Sequence, residues 1–126
     1  MDDFWPERER TSAVVEFPLV RASPPVPLVS FDRRELSEIL RVYGQMVAAG
    51  EWRDYAIDTL KDRAVFSIFR RTSEMPLYRI EKNPKLARKQ GAFSVIAASG
   101  QILKRGHDLK AVLGVFDRHL KVVESN

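Results

Sequence analysis

Residues 53–71 read RDYAIDTLKDRAVFSIFRR, and the period of this stretch decides the fold. From Arg53 to Leu60 the side chains alternate, with Tyr55, Ile57 and Thr59 on one side and Ala56, Asp58 and Leu60 on the other. That is the period of a strand, not of a helix. Lys61-Asp62 supplies a tight turn, and Ala64 to Arg71 is aromatic and β-branched on both faces, as expected of a central strand covered by a helix on one side. The pair predicts an antiparallel hairpin.

The same punctuation extends the sheet downstream. Thr72-Ser73-Glu74 turns the chain, and Pro76 can only open a third strand, Leu77 to Lys82, because proline has no amide to give to a ladder. A fourth run, Phe93 to Ala98, meets a fifth, Gln101 to Lys104, across Ser99-Gly100, which suits a two-residue hairpin turn. Between strands three and four, Asn83-Pro84 and Gly91 bracket a segment that fits a short helix of two turns or an ordered loop.

A helix precedes the sheet and another follows it. Asp32 and Glu35 form a capping box, Phe31 staples onto Leu36, and Leu36, Ile39, Leu40, Tyr43, Met46 and Val47 share an apolar face that ends at Gly50. The spacing predicts a helix over residues 32–49. Leu109, Val112, Leu113, Phe116, Leu120 and Val123 predict a second over 109–123, with Asp108 as its cap and a close packing contact at Gly114. The expected fold is α+β: a four- to five-stranded antiparallel meander with two main helices packed on one face, in the order α-β-β-β-(short α)-β-β-α.

Residues 1–30 read differently. Residues 1–12 are dense in charge without a period and predict a partly disordered tail in which Phe4 and Trp5 stand out as an anchor. Pro18, Pro24, Pro25 and Pro27 then hold the chain extended, as a connector or a recognition arm. We divide the chain into an extended Pro-rich arm, 1–30, and a single α+β domain, 31–126. With 44% hydrophobic residues among 126, the chain suits one core.

The composition also excludes chemistry. There is no Cys, so no disulfide framework, thiolate nucleophile or Cys-based metal site is available. His107 and His119 stand in no metal spacing and near no nucleophile motif, and no glycine belongs to a phosphate-binding loop. Asp54, Asp58 and Asp62 read as one solvated strand face rather than a metal site. Neither an enzyme, a metal nor a cofactor is expected. No apolar run is long enough to span a bilayer and Met1-Asp2-Asp3-Phe4 has no signal-peptide pattern, so a cytoplasmic protein without a membrane partner is expected.

The net charge of +4 conceals an uneven distribution. Residues 61–106 carry 11 basic and 3 acidic side chains, whereas residues 1–30 carry 3 and 5 and residues 31–60 carry 4 and 6. A local potential of this kind attracts acidic partners whatever the rest of the chain carries. The candidate anion- or nucleic-acid-binding residues are Arg70, Arg71, Lys82, Lys85, Arg88, Lys89, Lys104 and Arg105. If they converge, they form a phosphate-binding surface. Phe66, Phe69, Tyr78 and Phe93 lie close by in sequence and their alternation assigns them to the core before any base-stacking role.

The leading functional reading is a small non-enzymatic adaptor or regulatory protein acting through protein–protein contacts, with a basic surface for an acidic partner. Phe4, Trp5, Pro24, Pro25 and Pro27 are its candidate partner-binding arm. A homodimer joined through an edge strand or an exchanged arm is a subset of that reading. The alternatives are nucleic-acid binding through 61–106 and, behind it, small-ligand binding or catalysis.

The runs Ala64–Arg71, Pro76–Lys82, Lys85–Gly91 and Gln101–Leu109 resemble an uncharacterised family of short alphaproteobacterial proteins that carries a domain of unknown function. The resemblance covers roughly residues 30–120 and implies a free-standing small protein, with no activity or site to transfer. By order of elements alone, α-β-β-β-α resembles the double-stranded RNA-binding domain, from which two further strands and a short helix depart.

Overall fold

A computed structural model describes residues 27–71 and 75–125, with side chains described through residue 117. Phe4, Trp5, Pro24, Pro25 and the Thr72-Ser73-Glu74 turn lie outside the described residues, as do the side chains of His119, Leu120 and Val123. The elements follow the order α1 (Arg33–Ala48), β1 (Asp54–Thr59), β2 (Ala64–Phe69), β3 (Tyr78–Lys82), a 3-10 turn (Pro84–Leu86), β4 (Phe93–Ala97), β5 (Ile102–Gly106) and α2 (Leu109–Ser125). The five strands form one antiparallel sheet in sequence order, a meander with β1 and β5 at its edges. The fold class is α+β.

Local chemistry explains where each element begins and ends. At the start of α1, Asp32 Oδ1 accepts from the Glu35 amide at 2.8 Å and Glu35 Oε1 accepts from the Asp32 amide at 2.8 Å, a complete capping box. At its end Gly50 takes φ of +79°, so that Gly50 N–H reaches Val47 O and Glu51 N–H reaches Met46 O. This is the Schellman pattern, and it requires a left-handed residue. Asn83 caps the 3-10 turn by accepting from the Lys85 amide, and the segment is a single turn rather than two.

The β4–β5 connection departs from the expected two-residue turn. Gly100 N–H donates to Ala97 O and Ala97 N–H to Gln101 O, both at 2.8 Å, so the loop is Ala98-Ser99-Gly100 with Gly100 left-handed. A bulge follows, because Val95 faces Lys104 while Ile96 faces Ile102.

Both helices lie on one face of the sheet. Phe66, Ile68, Ile80 and Val95 point into that side and meet Ile39, Val42 and Met46 of α1 and Leu109, Val112, Leu113 and Phe116 of α2. Trp52, just after α1, is 4% exposed and meets Phe116 edge-on at 4.9 Å. Val42 and Trp52 had no place in the sequence reading, which set Val47 on the apolar face instead; Val47 is exposed. The expected close contact at Gly114 is also corrected, since a Cβ there would meet nothing within 4 Å.

Tyr43 links α1 to the sheet edge, edge-on to Tyr55 at 5.0 Å, while Tyr55 stacks on Phe66 at 4.8 Å. Burial raises the Tyr43 hydroxyl above its ordinary value of 10.0, and the nearby Asp54 and Tyr55 raise it further. A raised phenol favours the neutral form in the folded state, so its contribution is full below pH 10 and is lost as pH rises through the folded value. Tyr43→Phe should therefore flatten the alkaline limb of a stability–pH curve above pH 10, as read by urea denaturation. An unchanged limb would show that the hydroxyl plays no part.

Candidate functional site

The strand register divides the basic residues. Because strands alternate in direction, Arg70 and Arg71 follow the end of β2 at one end of the sheet. Lys82, Lys85, Arg88, Lys89 and Arg105 belong to the opposite end, where β3 and β5 finish and β4 begins. A strand of this length separates the two groups by roughly 17–20 Å. The eight candidates therefore do not form one surface.

Lys82 is also engaged within the fold. Its Nζ donates to Glu35 Oε1 at 2.7 Å and to Ser30 O at 3.0 Å, and both side chains of the ion pair are largely buried. Lys82 thereby ties β3 to the capping box of α1. Lys104 lies on the helix side, in a cleft with Leu103, Ala111, Gly114 and Val115. Arg70 is 3.9 Å from Glu51. Lys85, Arg88 and Lys89 are exposed around the 3-10 turn.

A different basic group forms on the sheet face turned away from the helices. Alternation places Val65, Ser67, Arg79, Glu81, Ser94, Ile96 and Arg105 there, and Arg63 reaches the same side. Glu81 stands between two guanidinium groups, with Oε1 at 3.9 Å from Arg63 Nε and Oε2 at 3.6 Å from Arg79 Nε. Arg105 is next to Ser94, which is next to Glu81, and its guanidinium donates to Gln90 Oε1. The Nε atoms of Arg63, Arg79 and Arg105 are all buried without a hydrogen-bond partner among the described residues. A buried charged donor without a hydrogen bond is costly, and the Glu81 carboxylate offsets part of that cost for Arg63 and Arg79.

Val65, Ser67, Ser94 and Ile96 at the centre of this face are only 5–7% exposed, although no described helix or strand packs over them. The arginine stems are the long apolar groups that the described residues offer to shelter them, and the Arg63 and Arg79 side chains as a whole are 41% and 42% exposed. At the β1 edge of the same face stand Asp54 and Asp58, so the face is polarised from acidic to basic across the sheet.

The aromatic side chains are distributed the other way. Phe66 is buried under the helices, and Tyr78 and Phe93 pack against the same core. Phe69, half-buried, is the one strand aromatic on the arginine side among the described residues. Of the arginines on this face, sequence reasoning had selected only Arg105. Arg79 and Glu81 alternate with Tyr78 and Ile80, and that parity was the available signal.

Family comparison matches residues 29–113, two thirds of the chain and all the elements from α1 into α2. The chain belongs to the family described as protein of unknown function, DUF2794. The DUF2794 match contains Arg63, Arg79, Glu81 and Arg105, and thus the whole arginine face. No curated protein and no solved structure matches the chain. Among the described residues of this DUF2794 chain, no three His, Asp or Glu side chains are grouped to hold a metal ion, and no helix is long and apolar enough to cross a membrane.

Proposed function

We propose that this protein is a non-enzymatic adaptor or regulator that binds an acidic protein segment on the arginine face of its sheet. One observation carries the reading: Arg63 and Arg79 flank a single carboxylate, Glu81, and Arg105 stands on the same face two strands along. Three cations against two anions, Glu81 and the Asp62 carboxylate 3.4 Å from Arg63 Nη1, leave the cluster net positive, and arginine's planar fork suits bidentate pairing with carboxylates. Single-stranded nucleic acid is less favoured, because sequence-tolerant binding of bases depends on aromatic platforms and, of the described strand aromatics, all but the half-buried Phe69 are on the other side of the sheet.

The test is titration of the full chain with fluorescent poly-L-glutamate and, separately, with a single-stranded oligonucleotide. Poly-L-glutamate should bind more tightly, and the charge reversals R63E, R79E and R105E together should weaken it by at least ~10-fold. Reversal of Lys85, Arg88 and Lys89, which belong to the connection between β3 and β4 and not to a strand, should have a much smaller effect. Equal losses from the two sets, or tighter binding of the oligonucleotide, would overturn the proposal.

A further inference from the structure

The edge strand β1 carries two exposed large apolar side chains and is followed by a third. Tyr55 and Ile57 lie on its helix side, each 41% exposed, with Leu60 at its end. Val47 lies one helical turn beyond Tyr43, which meets Tyr55, and Leu28 adjoins Val29, whose amide donates to Leu60 O. Contiguous exposed apolar surface beside an open strand edge marks an interaction site.

The ladder to β2 determines which backbone groups of β1 are open among the described residues. Leu60 N–H donates to Arg63 O at 2.9 Å, closing the Lys61-Asp62 turn. In an antiparallel pair, hydrogen-bonded positions alternate. Asp58, Ala56 and Asp54 therefore direct their amides and carbonyls towards β2, and Thr59, Ile57 and Tyr55 direct theirs outward. The Tyr55 amide agrees with this phase, since it donates to Asp54 Oδ1 at 2.8 Å instead of to β2.

We infer that two copies of this chain pair through β1, antiparallel, about a twofold axis at Ile57. In that register Ile57 faces Ile57 of the second copy and Tyr55 faces its Thr59, so every outward-facing residue of β1 is paired. The Tyr55 amide exchanges its local acceptor for one across the axis. The charges choose the same register. Asp58 faces Ala56 and Asp54 faces Leu60, whereas a slip of two residues one way sets Asp54 against Asp58 twice and leaves Thr59 unpaired, and the other way sets Asp58 against Asp58 and leaves Tyr55 unpaired. A slip of one residue turns the Tyr55 and Ile57 face onto the aspartate face. A twofold contact of this kind is self-complementary and closes, so it yields a dimer and no filament. The arginine face is free to act in either state, and the dimer stands independently of that reading.

The chain has no Cys, so a substitution places one thiol per copy. Directly opposed hydrogen-bonded residues have Cα atoms ~5.5 Å apart, within disulfide range. I57C should oxidise to a covalent dimer on a non-reducing gel, while T59C, also exposed but placed four residues from its own copy, should not. Sedimentation of the unmodified chain should show a dimer at tens of micromolar. Ile57→Pro, which removes an outward amide and leaves the β2 ladder intact, should raise the dissociation constant by at least ~10-fold with an unchanged circular dichroism spectrum. A monomer under those conditions, or equal cross-linking of I57C and T59C, would overturn the inference. If Ile57→Pro fails to fold, the two cysteine variants decide alone.

Discussion

Replacing Gly91 by alanine should destabilise the fold by at least ~3 kcal/mol, the largest effect expected of a glycine-to-alanine change among the described residues. Two costs combine. Gly91 has φ of +104°, which an L side chain rarely adopts, and a Cβ added there would overlap the backbone of Gly106. Neither neighbour can yield easily. Gly91 N–H is bonded to Leu86 O at 2.9 Å, and the flanking Ala92 O accepts from Asn83 N–H at 2.7 Å, so the loop is closed on both sides. Gly106 faces Phe93 in the β4–β5 ladder and leads directly into α2. Urea denaturation of Gly91→Ala should give a much lower midpoint, and a loss under ~1 kcal/mol would show that the loop can move away from β5. Gly114→Ala supplies the contrast. With open space at its Cβ and a helical backbone, it should gain up to ~1 kcal/mol.

These glycines show where the sequence is legible. Gly50 and Gly100 follow an apolar helix face and a strand, and their local setting predicts a turn that the structure contains. Gly91 and Gly114 look alike in sequence, each a lone glycine near a helical pattern, yet one is pressed against a backbone fifteen residues away and the other faces open space. Contacts of that range leave no local signal. The same distinction holds for charge. The Asp32 and Glu35 capping box is a four-residue motif and could be read directly, and the period-two runs placed all five strands within about two residues. Lys82 looked like one more member of a basic segment, because its partner Glu35 is 47 residues away. Convergence of the basic residues depended on which strand ends coincide, which periodicity does not encode. Arg63 and Arg79 became candidates only once the register set them beside Glu81.

The Lys82 pair carries the second large effect. Lys82→Met should destabilise the protein by about 2–3 kcal/mol, because it leaves the Glu35 carboxylate largely buried without its cation. Glu35→Ala should cost a similar amount for a different combination of reasons, since it removes the acceptor of the Asp32 amide as well as the partner of Lys82. The double variant Glu35→Ala, Lys82→Met leaves neither charge stranded, so its loss should be smaller than the two single losses added, with a coupling of about 1–2 kcal/mol. Additive losses in urea denaturation would mean that the pair contributes nothing beyond the separate contacts. Poly-L-glutamate titration supplies the complementary measurement. Lys82→Met should bind as tightly as the unmodified chain under conditions where both are folded, because its ammonium is engaged by Glu35 and the Ser30 carbonyl on the helix side. A large loss of affinity in a folded Lys82→Met protein would return Lys82 to the binding surface and move the acidic partner from the arginine face to the end of the sheet.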